Sequence, residues 1–258
     1  MARLIWGVTE PVTTDAFLGG QLQIAQPRRG YRAGVDPVLL AASVAAKPGQ
    51  SVLELGCGVG VAALCLGRRV PGLTLTGVEL QPDYAALARH NAGVNGLPLH
   101  VITADLRALP ADLRQQRFDH VIMNPPYFDR DTGTAAADPG RDTALGGPTP
   151  LADWLDIGAR RLAPQGFLTI IQRIERLPEV LIALQGRLGS IVMRPIAGRA
   201  NRAPGLFILR ARQEGRAAFR LLPTLVMHIG ADHLADKDSY TPQVAEILRN
   251  GAELPMID

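Results

Sequence analysis

Short apolar runs alternate along the middle of this chain with longer segments in which apolar positions recur at helical spacing. The runs Ser51 to Leu55, Leu73 to Glu79, Leu99 to Thr103, Phe118 to Met123, Phe167 to Gln172, Ser190 to Arg194 and Leu206 to Ala211 read as buried strands. Helices are expected between them over Val61 to Arg69, Pro82 to Val94, Leu151 to Leu162 and Leu177 to Gln185. A strand that is apolar on both faces belongs to a sheet covered on both sides, and parallel crossovers produce that covering by laying helices over each face. The expected fold is α/β: a doubly wound, seven-stranded, mostly parallel sheet over residues 51–212.

Three segments stand outside the repeat. Residues 1–50 are expected to flank the same domain, with a half-buried strand at Gln21 to Gln26 and a helix from Pro37 to Ala46. Asp129 to Pro150 is rich in Asp, Thr, Gly, Ala and Pro without periodicity, and a loop of that length inside a compact domain is usually functional or disordered. Residues 213–258 form a C-terminal extension with one strand-like run, Phe219 to Val226, and a helix from Pro242 to Arg249.

Composition narrows the classes. At 258 residues, with 47% apolar and 20% charged, the chain suits one large domain with additions. No apolar run approaches the ~20 residues of a membrane helix, and the N-terminus lacks a cleavable leader pattern, so a cytoplasmic protein is expected. Cys57 and Cys65 belong to no Cys/His cluster, which argues against a disulfide framework and against a metal site. His228 and His233 have no third ligand beside them and read as core or surface histidines. A net charge of +3 permits an anionic partner without requiring one.

Candidate chemistry begins at Glu54-Leu55-Gly56-Cys57-Gly58-Val59-Gly60, directly after the first strand and before a helix. Alternating glycines let the backbone turn tightly and approach a ligand, and the helix N-terminus behind them offers free N–H groups. Glu79 ends the second strand, where an acid reaches ribose hydroxyls in dinucleotide-type folds. Asp105 follows the third strand, placed to accept from an adenine amino group while the next N–H, that of Leu106, donates to the ring. Together these describe an adenosine site.

Asn124-Pro125-Pro126-Tyr127 closes the fourth strand. An exocyclic amine on a conjugated ring is a weak nucleophile, because its lone pair is delocalised. Acceptors aimed at its hydrogens, here the Asn124 side-chain oxygen and the Pro125 carbonyl, draw the nitrogen toward tetrahedral geometry and stabilise its developing charge. Pro125 and Pro126 stiffen the backbone so that both acceptors converge, while Tyr127 offers a stacking face, with Phe128 beside it. A base in a duplex hides this amine, so a nucleic-acid substrate has to be single-stranded or flipped.

The glycine turn and the two acids resemble those of class I S-adenosylmethionine-dependent methyltransferases, which implies S-adenosyl-L-methionine as cofactor. By that likeness Glu54, Gly56, Gly58, Gly60, Glu79, Leu80, Asp105, Leu106 and Asn124 face the cofactor, and Asn124 to Tyr127 form the catalytic ledge. Phe17-Leu18-Gly19-Gly20, Gln26-Pro27, Gly30 to Asp36 and Leu39-Leu40 resemble the bacterial valine-tRNA adenine-N6 methyltransferase family. This implies tRNA as partner, an adenine beside the anticodon as target, and Asp36 near the cofactor pocket, though Asp36 before Pro37 also reads as a helix N-cap. The same ledge serves DNA and rRNA adenine methyltransferases and release-factor glutamine methyltransferases, the last faintly echoed by Asp142 to Gly147. Arg28, Arg29, Arg32 and Arg194 are candidate phosphate contacts, with Arg199 and Arg202 the preferred pair.

Overall fold

The computed structural model describes residues 11–127, 149–230 and 239–256. An antiparallel hairpin comes first, β1 (Val12–Phe17) with β2 (Leu22–Pro27), and is followed by α1 (Asp36–Ala42). The repeat then runs β3 (Ser51–Leu55), α2 (Val61–Arg69), β4 (Thr74–Glu79), α3 (Pro82–Val94), β5 (Leu99–Thr103), α4 (Ala111–Gln115) and β6 (Phe118–Met123). Beyond it lie α5 (Leu151–Arg160), β7 (Leu162–Arg173), α6 (Leu177–Leu184), β8 (Leu188–Ala197), β9 (Leu206–Gln213), β10 (Arg220–Leu221), β11 (Leu225–Val226) and α7 (Pro242–Asn250).

From one edge the main sheet is ordered β5, β4, β3, β6, β7, β9, β8, with β10 and β11 both on β8. Pairing is parallel except at β7–β9 and β8–β9. Strand order reverses between β3 and β6, so the loops leaving their carboxyl ends diverge to opposite faces and open a crevice there. Buried apolar side chains cover both faces, in two clusters that share the sheet as a wall.

The doubly wound sheet is as expected, but it has nine strands among the described residues rather than seven. The run Phe219 to Val226, expected as one strand, is split because Pro223 carries no N–H for a ladder; Arg220–Leu221 and Leu225–Val226 each pair briefly and in parallel with β8. Strand β1 and helix α4 were not foreseen, and α1 ends at Ala42 instead of Ala46. Among the described residues no helix is long and apolar enough to cross a membrane.

One contact sets the position of the N-terminal segment. The outer edge of β2 has lone backbone groups at Gln23 and Ala25, and α3 meets them with two asparagines one turn apart. Asn91 accepts from the Ala25 N–H at 2.8 Å and donates to the Ala25 carbonyl at 3.1 Å; Asn95 does the same for Gln23 at 2.9 and 2.8 Å. The spacing matches: four helical residues rise ~6 Å and two strand residues ~6.8 Å, so a helix face imitates a neighbouring strand. Asn91 is fully buried and also donates to the Val59 carbonyl in the glycine turn at 3.0 Å. Asn91→Ala, which strands buried backbone groups of Ala25, is expected to lower stability by about 3 kcal/mol in urea unfolding, and the more exposed Asn95→Ala by about 1 kcal/mol.

Candidate active site

At the crevice between β3 and β6 lies a cavity of about 400 Å³. The turn after β3 supplies its floor. Gly56 and Gly58 adopt φ of 66° and 54°; a Cβ at position 56 would collide with the Trp154 ring, whereas position 58 opens onto free space. Glycine is therefore imposed by packing at the first position and by backbone conformation at the second. Gly60, at φ 89°, is the residue before α2.

Glu79 ties this floor to the end of β4. Its Oε2 accepts from the Gly58 N–H and its Oε1 from the Gln81 N–H, both at 2.8 Å. Each carboxylate oxygen keeps a further lone pair for a hydroxyl donor. Burial raises the Glu79 pKa, and the backbone donors offset part of the rise. Glu54, at the end of β3, is fully enclosed and accepts from the Ala63 N–H in the first turn of α2 at 2.9 Å. Desolvation, with a lesser push from Glu79, takes its pKa up to about 8. Asp105 behaves differently: it caps the short 3₁₀ turn Leu106–Ala108 and pairs with Arg107, which holds its carboxyl below the usual range. Leu80, Asp105 and Leu106 line the same cavity.

The opposite wall is the segment leaving β6. Asn124 Oδ1 is buried and has no hydrogen-bond partner among the described residues. Tyr31 lies beside Asn124, a neighbour that favours its phenolate, although burial and the nearby acids push its pKa upward overall. Tyr31 is itself clamped through its backbone: its N–H donates to the Tyr84 hydroxyl at 2.9 Å, which donates back to its carbonyl at 3.2 Å. Behind the ledge, the fully buried Gln172 on β7 donates from Nε2 to the carbonyls of Pro125 and Pro126, both at 3.3 Å, and Arg176 also donates to Pro126. The Tyr127 hydroxyl donates to Asp36 Oδ2 at 2.5 Å.

Asp36, Glu54, Gly56, Gly58, Glu79, Leu80, Asp105, Leu106 and the ledge Asn124 to Tyr127 are thus brought together. Gly60 stands behind the floor, its α-carbon facing Leu99, Ala88 and Leu64. The N-cap reading of Asp36 is corrected: Val35 is the N-cap, no side chain caps α1, and the Asp36 carboxylate turns to Tyr127. Arg199 and Arg202 do not line the cavity; Arg199 donates to the carbonyls of Ile229 and Gly230 at 2.7 and 2.9 Å, and Arg202 is exposed. Arg32 pairs with Asp15, and Arg194 donates to the carbonyls of Pro223 and Pro255. His228 bonds to Ser239 and stacks on Tyr240. Phe128, His233 and Asp142 to Gly147 lie outside the described residues. Tyr31, Tyr84 and Gln172 were missed; Gln172, a lone amide ending an otherwise apolar strand, was the one with a visible signal.

The raised Glu54 pKa has a pH signature. Between the ordinary value of 4.5 and about 8 the unfolded chain has released this proton while the folded chain retains it. Stability present below the lower value is therefore lost as pH rises through the upper one. Urea midpoints are expected to fall from about pH 5 to about pH 8, and Glu54→Gln to flatten that fall; Asp36 and Glu79, shifted the same way, retain the remainder.

Residues 34–138 match the methyltransferase small domain. A tRNA1(Val) (adenine(37)-N6)-methyltransferase of Porphyromonas gingivalis is 30% identical over 227 residues, covering 83% of this chain and 88% of that protein. The protein of the same name from Yersinia pseudotuberculosis is 27% identical over 241 residues, covering 90% of each chain. Among solved structures, a predicted O-methyltransferase from Agrobacterium tumefaciens superposes with a TM-score of 0.68 over 85% of this chain and 98% of its own, at 24% identity, which speaks to fold alone. With nearly a third of its residues identical across most of both lengths, the chain belongs to the tRNA1(Val) (adenine(37)-N6)-methyltransferase family.

Proposed function

We propose that this chain transfers a methyl group from S-adenosyl-L-methionine to the exocyclic N6 of an adenine beside the anticodon of a tRNA. The observation that carries the reading is the buried, unpartnered Oδ1 of Asn124, a residue that lines the same cavity as Gly58, Glu79 and Asp105.

The cofactor, when bound, supplies an electrophilic methyl on a sulfonium. Residues fit for it surround the floor: Glu79 retains free lone pairs for ribose hydroxyls, Asp105 and the Leu106 N–H stand where an adenine edge would lie, and Leu80 is an exposed apolar neighbour. Glu54 and Asp36 would lie at the methionine side, where a positively charged cofactor would favour their ionised forms over the protonated forms that burial favours. On the ledge, Asn124 Oδ1 and the Pro125 carbonyl each accept one N6 hydrogen, the latter through the lone pair that Gln172 leaves free. Their pull localises the nitrogen lone pair and stabilises the positive charge formed as the N–C bond replaces the S–C bond. The extra proton then leaves to solvent, so no residue has to act as base. Tyr127, with Phe128, supplies the stacking face for the flipped adenine.

Arg202 and Arg199 are proposed to meet RNA phosphates. Their loop is joined to the ledge region, since Gly205 accepts from the Ile174 N–H at 3.1 Å. A cytoplasmic location accords with a tRNA substrate.

The test is transfer of labelled methyl to unmodified total tRNA, to a release factor and to adenine-containing DNA, with product analysis by mass. N6-methyladenosine in tRNA is the expected product; methylglutamine in the release factor, or no label in RNA, would overturn the assignment. Asn124→Ala is expected to lower kcat by roughly 10²–10³-fold while cofactor affinity changes less than about threefold.

A further inference from the structure

Asp36 comes from the N-terminal segment, outside the parallel repeat, yet its carboxylate is the partner of a ledge residue. It opens α1, whose Pro37 to Ala42 are all buried and which packs on α2, so its position is rigid. Tyr127 follows two prolines and hangs at the end of the ledge, with backbone but no further ladder behind it. Without its hydroxyl bond the Tyr127 ring can turn about its side-chain torsions, and each turn moves the stacking face away from the adenine. We propose that Asp36 is a positioning residue for methyl transfer: by accepting the Tyr127 hydroxyl hydrogen at 2.5 Å it fixes the ring plane against which the acceptor base stacks. The inference rests on the adenine-N6 reading above and assigns Asp36 a task beyond facing the cofactor.

Three features support it. A carboxylate oxygen at 2.5 Å makes the bond short and directional. Tyr127 stays protonated throughout the working range, because burial and the neighbouring Asp36 both push its pKa upward, so the donor is always present. The same N-terminal segment also brings Tyr31 to the cavity that Asn124 lines. Residues 31–36 therefore line the cavity beside the amide and tether the ring that holds the base.

A double-mutant cycle with Asp36→Ala and Tyr127→Phe tests this, reading kcat on tRNA and cofactor Kd by calorimetry. Each single change is expected to lower kcat about tenfold with cofactor affinity held within about threefold, and the double change to lower it no further, because both remove one bond. Asp36→Asn, which keeps an acceptor oxygen, should recover to within about threefold of the unaltered chain. Multiplicative losses, Tyr127→Phe at full rate, or an Asp36→Ala defect matched by the same loss of cofactor affinity would each overturn the proposal. If the unaltered chain puts no methyl on tRNA, the adenine reading fails instead. The cycle is then read in urea unfolding, where coupled losses support the tether and additive losses overturn it.

Discussion

The pairing of Asn91 with the free edge of β2 is the contact on which the working half of the molecule depends. A two-stranded hairpin cannot hold its own shape in water, and here its unpaired edge is closed by a helix face. Because Asn91 also reaches the Val59 carbonyl, the hairpin, α3 and the glycine turn are locked to one another through a single side chain. The chain leaving β2 then passes Tyr84, which grips the Tyr31 backbone, and enters α1 at Asp36. Asp36 then bonds to the ledge at Tyr127. An amide on α3 is thus linked, through the segment it anchors, to the tyrosine at the end of the ledge.

Electrostatics makes the cavity selective. Asp36, Glu54 and Glu79 all have raised pKa values because burial strips them of water, and among the described residues no ion pair involves any of them. Buried acids without a cation are unfavourable on their own. They become favourable when a positively charged ligand enters, which is the character of a sulfonium carrying an ammonium group. Backbone donors from Gly58, Gln81 and Ala63 keep the acids oriented meanwhile. The ledge applies the same rule to a neutral group: its buried Asn124 oxygen has no partner, and the hydrogen of an incoming amine supplies one.

The parallel repeat, the glycine turn, Glu79, Asp105 and the Asn-Pro-Pro-Tyr ledge were legible in the sequence because each is local. An apolar run a few residues long announces a buried strand, and the residue after it is bound to project from the sheet's carboxyl end. Where local pattern was interrupted, the reading slipped. Pro223 divided a run that looked continuous, and β1 was overlooked because its half-buried alternation is weak. Asp36 illustrates the limit of local rules most clearly: an acid before a proline is a good cap by sequence, yet its carboxylate bonds to a tyrosine 91 positions away.

Strand periodicity and the motif at each strand end were enough, from the residues alone, for an adenosine site facing a ledge for a planar nitrogen, and the likeness of those motifs to class I methyltransferases named the methyl donor. Only the tertiary structure decided how those groups are held. Tyr31, Tyr84, Gln172 and Asn91 act through contacts between elements far apart in sequence, and hydrogen-bond pairing at such separations follows from packing geometry, which no run of neighbouring residues encodes.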